Sequence, residues 1–190
     1  MPTDIQEPPE GWAQLRRLDT RATARLHLRR WPSSPQSWVL EQAGTPVGMI
    51  KRAAASTRLR TASEEWRVEV CRRSRRLGWQ LQFTRVGEPE SALSYHPHTL
   101  MGGGSLALVD GRRYKLRSPL LRAGWRATAR WGGEIGRIAF RGGTSAKGSR
   151  TQVAFRAQAE DEPLLLVVLL AASVAILLHA EQPRIVAYHG

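Results

Sequence analysis

Short stretches in which hydrophobic and polar residues alternate run through most of the chain, from Trp38 to about Ala159. Period-two alternation places the hydrophobic residues on one face of an extended strand. Gly, Pro, Ser or charged residues separate these stretches at intervals of about 8–12 residues, which is typical of β-sandwiches and barrels. The pattern predicts a mainly β, antiparallel domain of about ten to twelve strands.

The alternation also predicts which residues face the interior. The expected inward sets are Trp66, Val68 and Val70; Trp79, Leu81 and Phe83; Trp125, Ala127, Ala129 and Trp131; Ile138 and Phe140; and Val153, Phe155 and Ala157. Asp110-Gly111 predicts a type I′ hairpin between two of the strands, because glycine supplies positive φ. The segment from Arg16 to Arg30 fits either a strand or a short helix.

The pattern changes at the C-terminal part of the chain. Asp161, Glu162 and Pro163 form a helix start, because acidic residues and an early proline are favoured there. The run 164–178 that follows contains Ser173 as its only polar residue. A helix that is apolar all round must lie in a protein core or in lipid.

Two environments are open for this helix. The uncharged stretch 163–180 is near the lower limit of a membrane-spanning helix, about 20 residues, so the segment is a candidate tail anchor. Alternatively, a closed barrel of ten to twelve strands would leave a lumen, and a helix of roughly 22 Å would fill it. The second hypothesis gives a leader at 1–24, one barrel domain at 25–180 including helix 164–178, and a short tail at 181–190.

Several segments resemble those of a known family. They are Trp38-x-Leu40 leading to Gly44-x-x-Val47, the segment Leu106-x-Leu108-x-Asp110-Gly111-Arg112-x-Tyr114-x-Leu116, and the terminal run 164–178. In these segments the chain resembles the tubby C-terminal-like superfamily, which includes phospholipid scramblases and LURP-one-related proteins. The resemblance implies an antiparallel barrel around an apolar C-terminal helix, and an association with phospholipid head groups. The scramblase-type cysteine cluster is absent from this chain.

The net charge of the chain indicates a class of binding partner. Its 29 Lys+Arg against 16 Asp+Glu give a formal net charge of +13. Such an excess attracts anionic partners, although a bias of the genome toward arginine codons would produce it too. Cys71 is the only cysteine, which excludes a disulfide framework and a cysteine-rich zinc site.

Clusters of cations define the candidate binding residues. They are Arg72, Arg73, Arg75 and Arg76; Arg112, Arg113, Lys115 and Arg117; and Lys51 and Arg52. Arginine forks match phosphate oxygens, so these clusters predict contact with phosphate groups. A solvated turn or outer strand face, kept charged to protect sheet edges, is the alternative interpretation.

Other chemistry has little support in the sequence. His96 and His98 offer two metal ligands without a third, and the Gly102–Ser105 run lacks the lysine and the helix of a phosphate loop. We therefore predict no catalytic residue, no cofactor and no metal.

We expect a non-enzymatic module that binds or tethers to anionic phospholipid surfaces, in the cytoplasm and at the inner face of the membrane. One alternative is a tail-anchored membrane protein with a cytoplasmic β-domain. A second alternative is a basic β-barrel that binds nucleic acid.

Overall fold

The computed structural model describes residues 15–19, 25–31, 34–53, 56–72, 79–98, 103–117, 125–131, 134–141, 151–154 and 162–181. Within these ranges the chain forms twelve strands and one helix. The strands are β1 Arg25–Trp31, β2 Ser34–Gln42, β3 Thr45–Arg52, β4 Thr57–Thr61, β5 Glu65–Arg72, β6 Trp79–Arg85, β7 Ser91–Pro97, β8 Gly103–Leu108, β9 Arg113–Arg117, β10 Trp125–Trp131, β11 Glu134–Arg141 and β12 Thr151–Ala154. The helix is α1, Glu162–Glu181.

Every strand runs antiparallel to its neighbours in the sheet. The hydrogen-bonded order is β1-β12-β11-β10-β9-β8-β7-β6-β5-β4-β3-β2, and β1 also pairs with β2. At the junction of the two chain ends, Leu26 lies opposite Val153 and His27 opposite Gln152. The prediction of a mainly β, antiparallel domain with a C-terminal helix is confirmed. The ambiguous N-terminal segment contributes strand β1.

Two tight turns show how local sequence sets the connections. Between β2 and β3, Ala43 and Gly44 both have positive φ, 49° and 79°, as a type I′ turn requires. Between β8 and β9 the turn occupies 109–112. Within it Gly111 has positive φ and Asp110 does not, whereas a type I′ turn requires positive φ at both central residues. Instead, a carboxylate oxygen of Asp110 accepts a hydrogen bond from the Arg112 backbone N–H at 3.0 Å. The predicted hairpin and the positive φ of Gly111 are confirmed, but the connection is not the predicted two-residue type I′ turn.

Helix α1 is covered by protein on all sides along its central part. Each of the residues 165–175 is at most 6% exposed, and the helix packs against β3, β4 and β8. Its polar residue, Ser173, donates its hydroxyl to the Leu169 carbonyl at 2.8 Å, which satisfies the group inside the core. Within the described ranges, no helix combines the length and apolar character needed to cross a bilayer.

The helix lies close to β3 because that strand carries a glycine. A Cβ atom at Gly48 would lie 3.0 Å from Leu170 Cδ1 and 3.5 Å from Leu166 Cδ1. Buried side chains from β1 to β9, including Leu40, Phe83 and Leu106, form one hydrophobic cluster with the same helix. The helix is thus part of the main core.

Two details differ from the sequence-based expectations. Val70, expected to face inward with Trp66 and Val68, is 60% exposed near the end of β5. Alternation predicts the face of the strand on which a residue lies. It does not predict whether that residue lies in the part of the strand that packs against the core. In addition, part of the predicted leader packs on the sheet and its core: Leu18 is 3% exposed in the central cluster, and the Arg16 backbone N–H donates to Pro46 O at 2.9 Å. Most of the predicted tail lies outside the described residues.

Candidate functional site

The antiparallel order places successive connections at two rims of the sheet. We call the rim with turns 43–44, 62–64, 86–90 and 109–112 the upper rim. Helix α1 also begins there, since Leu164 and Asp110 line the same cleft. The rim where β3, β5 and β9 end is the lower rim. The two rims differ in the charged residues that they carry.

The predicted binding residues separate between these rims. Lys51, Arg52, Arg72 and Arg117 end their strands at the lower rim. Arg73, Arg75 and Arg76 lie outside the described residues. At the upper rim are Arg112, in the β8–β9 turn, and Arg113, which begins β9, while Lys115 lies between the rims. Those predicted cations that the structure describes therefore do not form a single cluster.

Arg112 is hydrogen-bonded to Asp110 within its own turn. Its Nε–H donates to Asp110 Oδ2 at 2.6 Å, and its backbone N–H bonds the other oxygen of that carboxylate. These hydrogen bonds lower the pKa of Asp110, so the pairing is retained above that lowered pKa and lost as the pH falls through it. An arginine whose fork is held by a neighbouring carboxylate is a poor candidate for binding an external phosphate.

The outer face of β9 carries exposed cations. Arg113 and Lys115 are exposed, whereas Tyr114 and Leu116 between them are buried, as the alternation predicted. On the β8 side, their register partners are Ala107 and Ser105, which are small and uncharged. These two cations therefore stand on an open part of the surface.

The register extends this basic face across β10 and β11. Lys115 lies opposite Thr128, which lies opposite Arg137, and Arg117 lies opposite Arg126. By register, the following cations share the face of exposed Lys115, and we call them the basic wall: Arg113, Lys115, Arg117, Arg126, Arg130, Arg137 and Arg141. No Asp or Glu occupies a register position on that face of β9, β10 or β11.

The sequence predicted three members of the basic wall, Arg113, Lys115 and Arg117, and did not predict the other four. The missed members lie in strands whose order and register relative to β9 come only from the structure. A charge count would have indicated them: the segment 113–156 contains eleven Lys and Arg residues and Glu134 as its only acid.

The outer face of β3 to β5 has a mixed surface. On β4 and β5, Arg58 bonds Glu65 at 3.1 Å and Arg67 bonds Glu69 at 3.1 Å. Lys51 lies opposite Arg58 across β3 and β4, so this predicted cation stands beside an ion-paired arginine. Acidic and basic side chains alternate there, so their charges offset one another.

Comparisons of the chain with protein-family models, curated proteins and solved structures find no match.

The remaining candidates have ordinary structural roles. His96 Nε2 is 3.0 Å from Ser94 Oγ, the backbone N–H of His98 donates to Gly103 O at 2.9 Å, and the Cys71 thiol donates to Gln82 Oε1 at 3.2 Å. Within the residues that the structure describes, no three His, Cys, Asp or Glu side chains come together as metal ligands. Gly103 and Gly104 begin strand β8 and so do not form a phosphate loop.

Two tryptophans that were expected to face inward are covered in the structure. Trp66 is 3% exposed, and Trp79 is partly buried with its ring centroid 5.9 Å from that of Tyr95. Stacking on nucleobases requires exposed rings, so neither residue offers the platform that single-stranded nucleic acid uses.

Proposed function

We propose that this protein is a non-enzymatic, tubby-like barrel that binds anionic phospholipid surfaces at the cytoplasmic face of a membrane. In this proposal the strands close around α1, and the barrel lies on its basic wall. The observation that carries the proposal is the composition of that wall: seven cations share one face of three neighbouring strands without an acidic residue.

Electrostatics gives such a wall a long-range attraction for a negatively charged surface. Each Lys or Arg near an anionic bilayer contributes about 1 kcal/mol, and salt weakens the interaction. Several cations on one face act together, because a flat membrane contacts all of them at once. On the opposite side, Glu65 and Glu69 offset Arg58 and Arg67, so binding through the basic wall is favoured over binding through that side.

The burial of α1 supports a core role for this helix over the tail-anchor alternative. Residues 165–175 are covered by the protein itself, so the helix has no lipid-facing side in this arrangement. The same cations would also contact nucleic acid phosphates, and the binding experiment below therefore includes that ligand.

Reversing two charges of the basic wall is expected to weaken vesicle binding strongly. The change is Arg113→Glu with Lys115→Glu, measured by co-sedimentation with phosphatidylserine/phosphatidylcholine vesicles. Four units of charge are removed from an exposed face, so we expect at least a tenfold loss of affinity at physiological salt. The charge-conserving pair Arg113→Lys with Lys115→Arg should retain wild-type binding.

A matched control reverses two exposed cations elsewhere. Arg16→Glu with Arg17→Glu gives the same change in net charge, at a segment beside the β2–β3 turn. An equal loss in both reversed pairs would show attraction by net charge alone and contradict binding through the wall. Equal binding of the wild type to neutral and anionic vesicles would remove the lipid proposal. Tighter binding to a DNA duplex than to anionic vesicles would favour the nucleic-acid alternative.

A further inference from the structure

A cleft of about 480 Å³ opens at the upper rim, between the first turns of α1 and strands β5 to β8. Its walls are mostly apolar, and all its lining residues lie in the described part of the chain. The apolar lining residues are Trp66, Ala92, Leu93, Leu108, Val109, Leu164 and Val167. This volume is within the range of small-molecule sites, roughly 300–1,000 Å³.

The mouth of the cleft holds two ion pairs. Arg85 Nη2 donates to Glu64 Oε1 at 2.8 Å, and the Trp66 indole N–H donates to the other oxygen of the same carboxylate at 3.0 Å. Arg112 and Asp110 form the second pair. Arg85 also pairs with Glu88 Oε1 at 2.6 Å, so each arginine at the mouth is already paired with a carboxylate. An anionic head group would therefore meet like charges there, whereas an uncharged polar head would not.

One donor at the cleft lacks an acceptor. The Nε atom of Arg85 is buried, and no described group accepts its hydrogen. The guanidinium lies over the Trp66 ring, 5.4 Å from the ring centroid. A buried donor without an acceptor is destabilising, so an ester or hydroxyl oxygen placed beside Nε would be favourable.

We propose that this cleft binds a single-chain, uncharged amphiphile of the monoacylglycerol type. Its acyl chain would occupy the apolar depth between Leu93, Leu108 and Val167, and its ester oxygen would accept from Arg85. Val109, which is 79% exposed, extends the apolar lining toward the mouth. The inference is independent of the proposed membrane binding, since the cleft is at the upper rim and none of its lining residues belongs to the basic wall.

Equilibrium dialysis of the full chain with 1-monooctanoylglycerol, below its micelle concentration, tests the proposal. We expect saturable binding of one molecule per chain, and at least tenfold weaker binding of octanoate, whose carboxylate would face Glu64 and Asp110. No saturable binding would overturn the proposal, and equal affinity for octanoate would overturn the assignment of an uncharged head.

Two matched variants locate the ligand. Ala92→Phe fills the cleft and should reduce affinity at least tenfold, while Val86→Phe, at a residue that is 57% exposed and outside the lining, should leave it unchanged. Thermal melts establish that both variants fold. If Ala92→Phe does not fold, Arg85→Lys provides the test, because it keeps a positive charge beside Glu64 but lacks Nε; it should lower the affinity at least threefold. Wild-type affinity in the folded variant would contradict binding in the cleft.

Discussion

Leu169→Asp is expected to abolish the cooperative fold of the protein. Leu169 is fully buried in the middle of α1. Removing a buried leucine side chain costs about 2–5 kcal/mol, and burying an unpaired carboxylate costs several kcal/mol more. The total stability of a domain is about 5–15 kcal/mol, so one such change is enough to unfold it. Urea unfolding followed by near-ultraviolet circular dichroism measures the effect.

An exposed position provides the control for this substitution. Val109 is 79% exposed, so Val109→Asp introduces the same carboxylate where water solvates it, and the unfolding midpoint should remain near that of the wild type. A chain that ends at Glu162 extends the test, because it removes nearly the whole helix. We expect this shortened chain to aggregate or to lack a cooperative transition. If either the Leu169→Asp variant or the shortened chain forms a stable β-domain, the core role of α1 is contradicted.

The sequence predicted α1 well because a long run of apolar helix-forming residues can only be a helix that is shielded from water. Fifteen consecutive residues with one serine leave no face for water, and the structure buries the central part of this run. The sequence alone could not distinguish burial in protein from burial in lipid, since both environments exclude water. That distinction depends on the strands around the helix.

Strand β4 is an example of a strand that hydrophobic alternation does not predict. Thr57–Thr61 contains Leu59 as its only strongly hydrophobic residue, and its two threonines are buried with it at 7% and 4% exposure. A strand that buries threonine does not show a hydrophobic stripe. Its assignment comes instead from pairing with β3 and β5, which is non-local information.

The candidate site was predictable only within single strands. Alternation placed Arg113 and Lys115 on the outer face of β9, and both are exposed. Whether Arg126 and Arg137 join them depends on the register of three strands, and a shift of one residue would move them to the other face. The sequence also did not predict that Arg112 donates a hydrogen bond to Asp110 within the turn, which makes Arg112 a poor candidate for binding phosphate.

Gly104→Ala is expected to destabilise the protein by about 3 kcal/mol, at the upper end of typical overpacking effects. A Cβ atom at this position would lie 2.4 Å from Tyr95 Cε2 and 2.5 Å from the His96 carbonyl oxygen. Tyr95 is fully buried, and His96 belongs to the ladder between β7 and β8, so neither neighbour can move freely. For a chain of this size the melting temperature should fall by about 6–12 °C.

Gly48→Ala is the matched control, because both glycines lie inside strands and have no positive φ. At Gly48 the nearest atom is the flexible end of Leu170, at 3.0 Å, and a shift of a few tenths of an ångström relieves the contact. We expect a cost of about 1 kcal/mol or less, at or below the lower end of overpacking effects. Equal melting temperatures for the two variants would show that Tyr95 does not lie against the backbone of β8. A larger loss in Gly104→Ala than in Gly48→Ala would support both that contact and the pairing of β7 with β8 on which it depends.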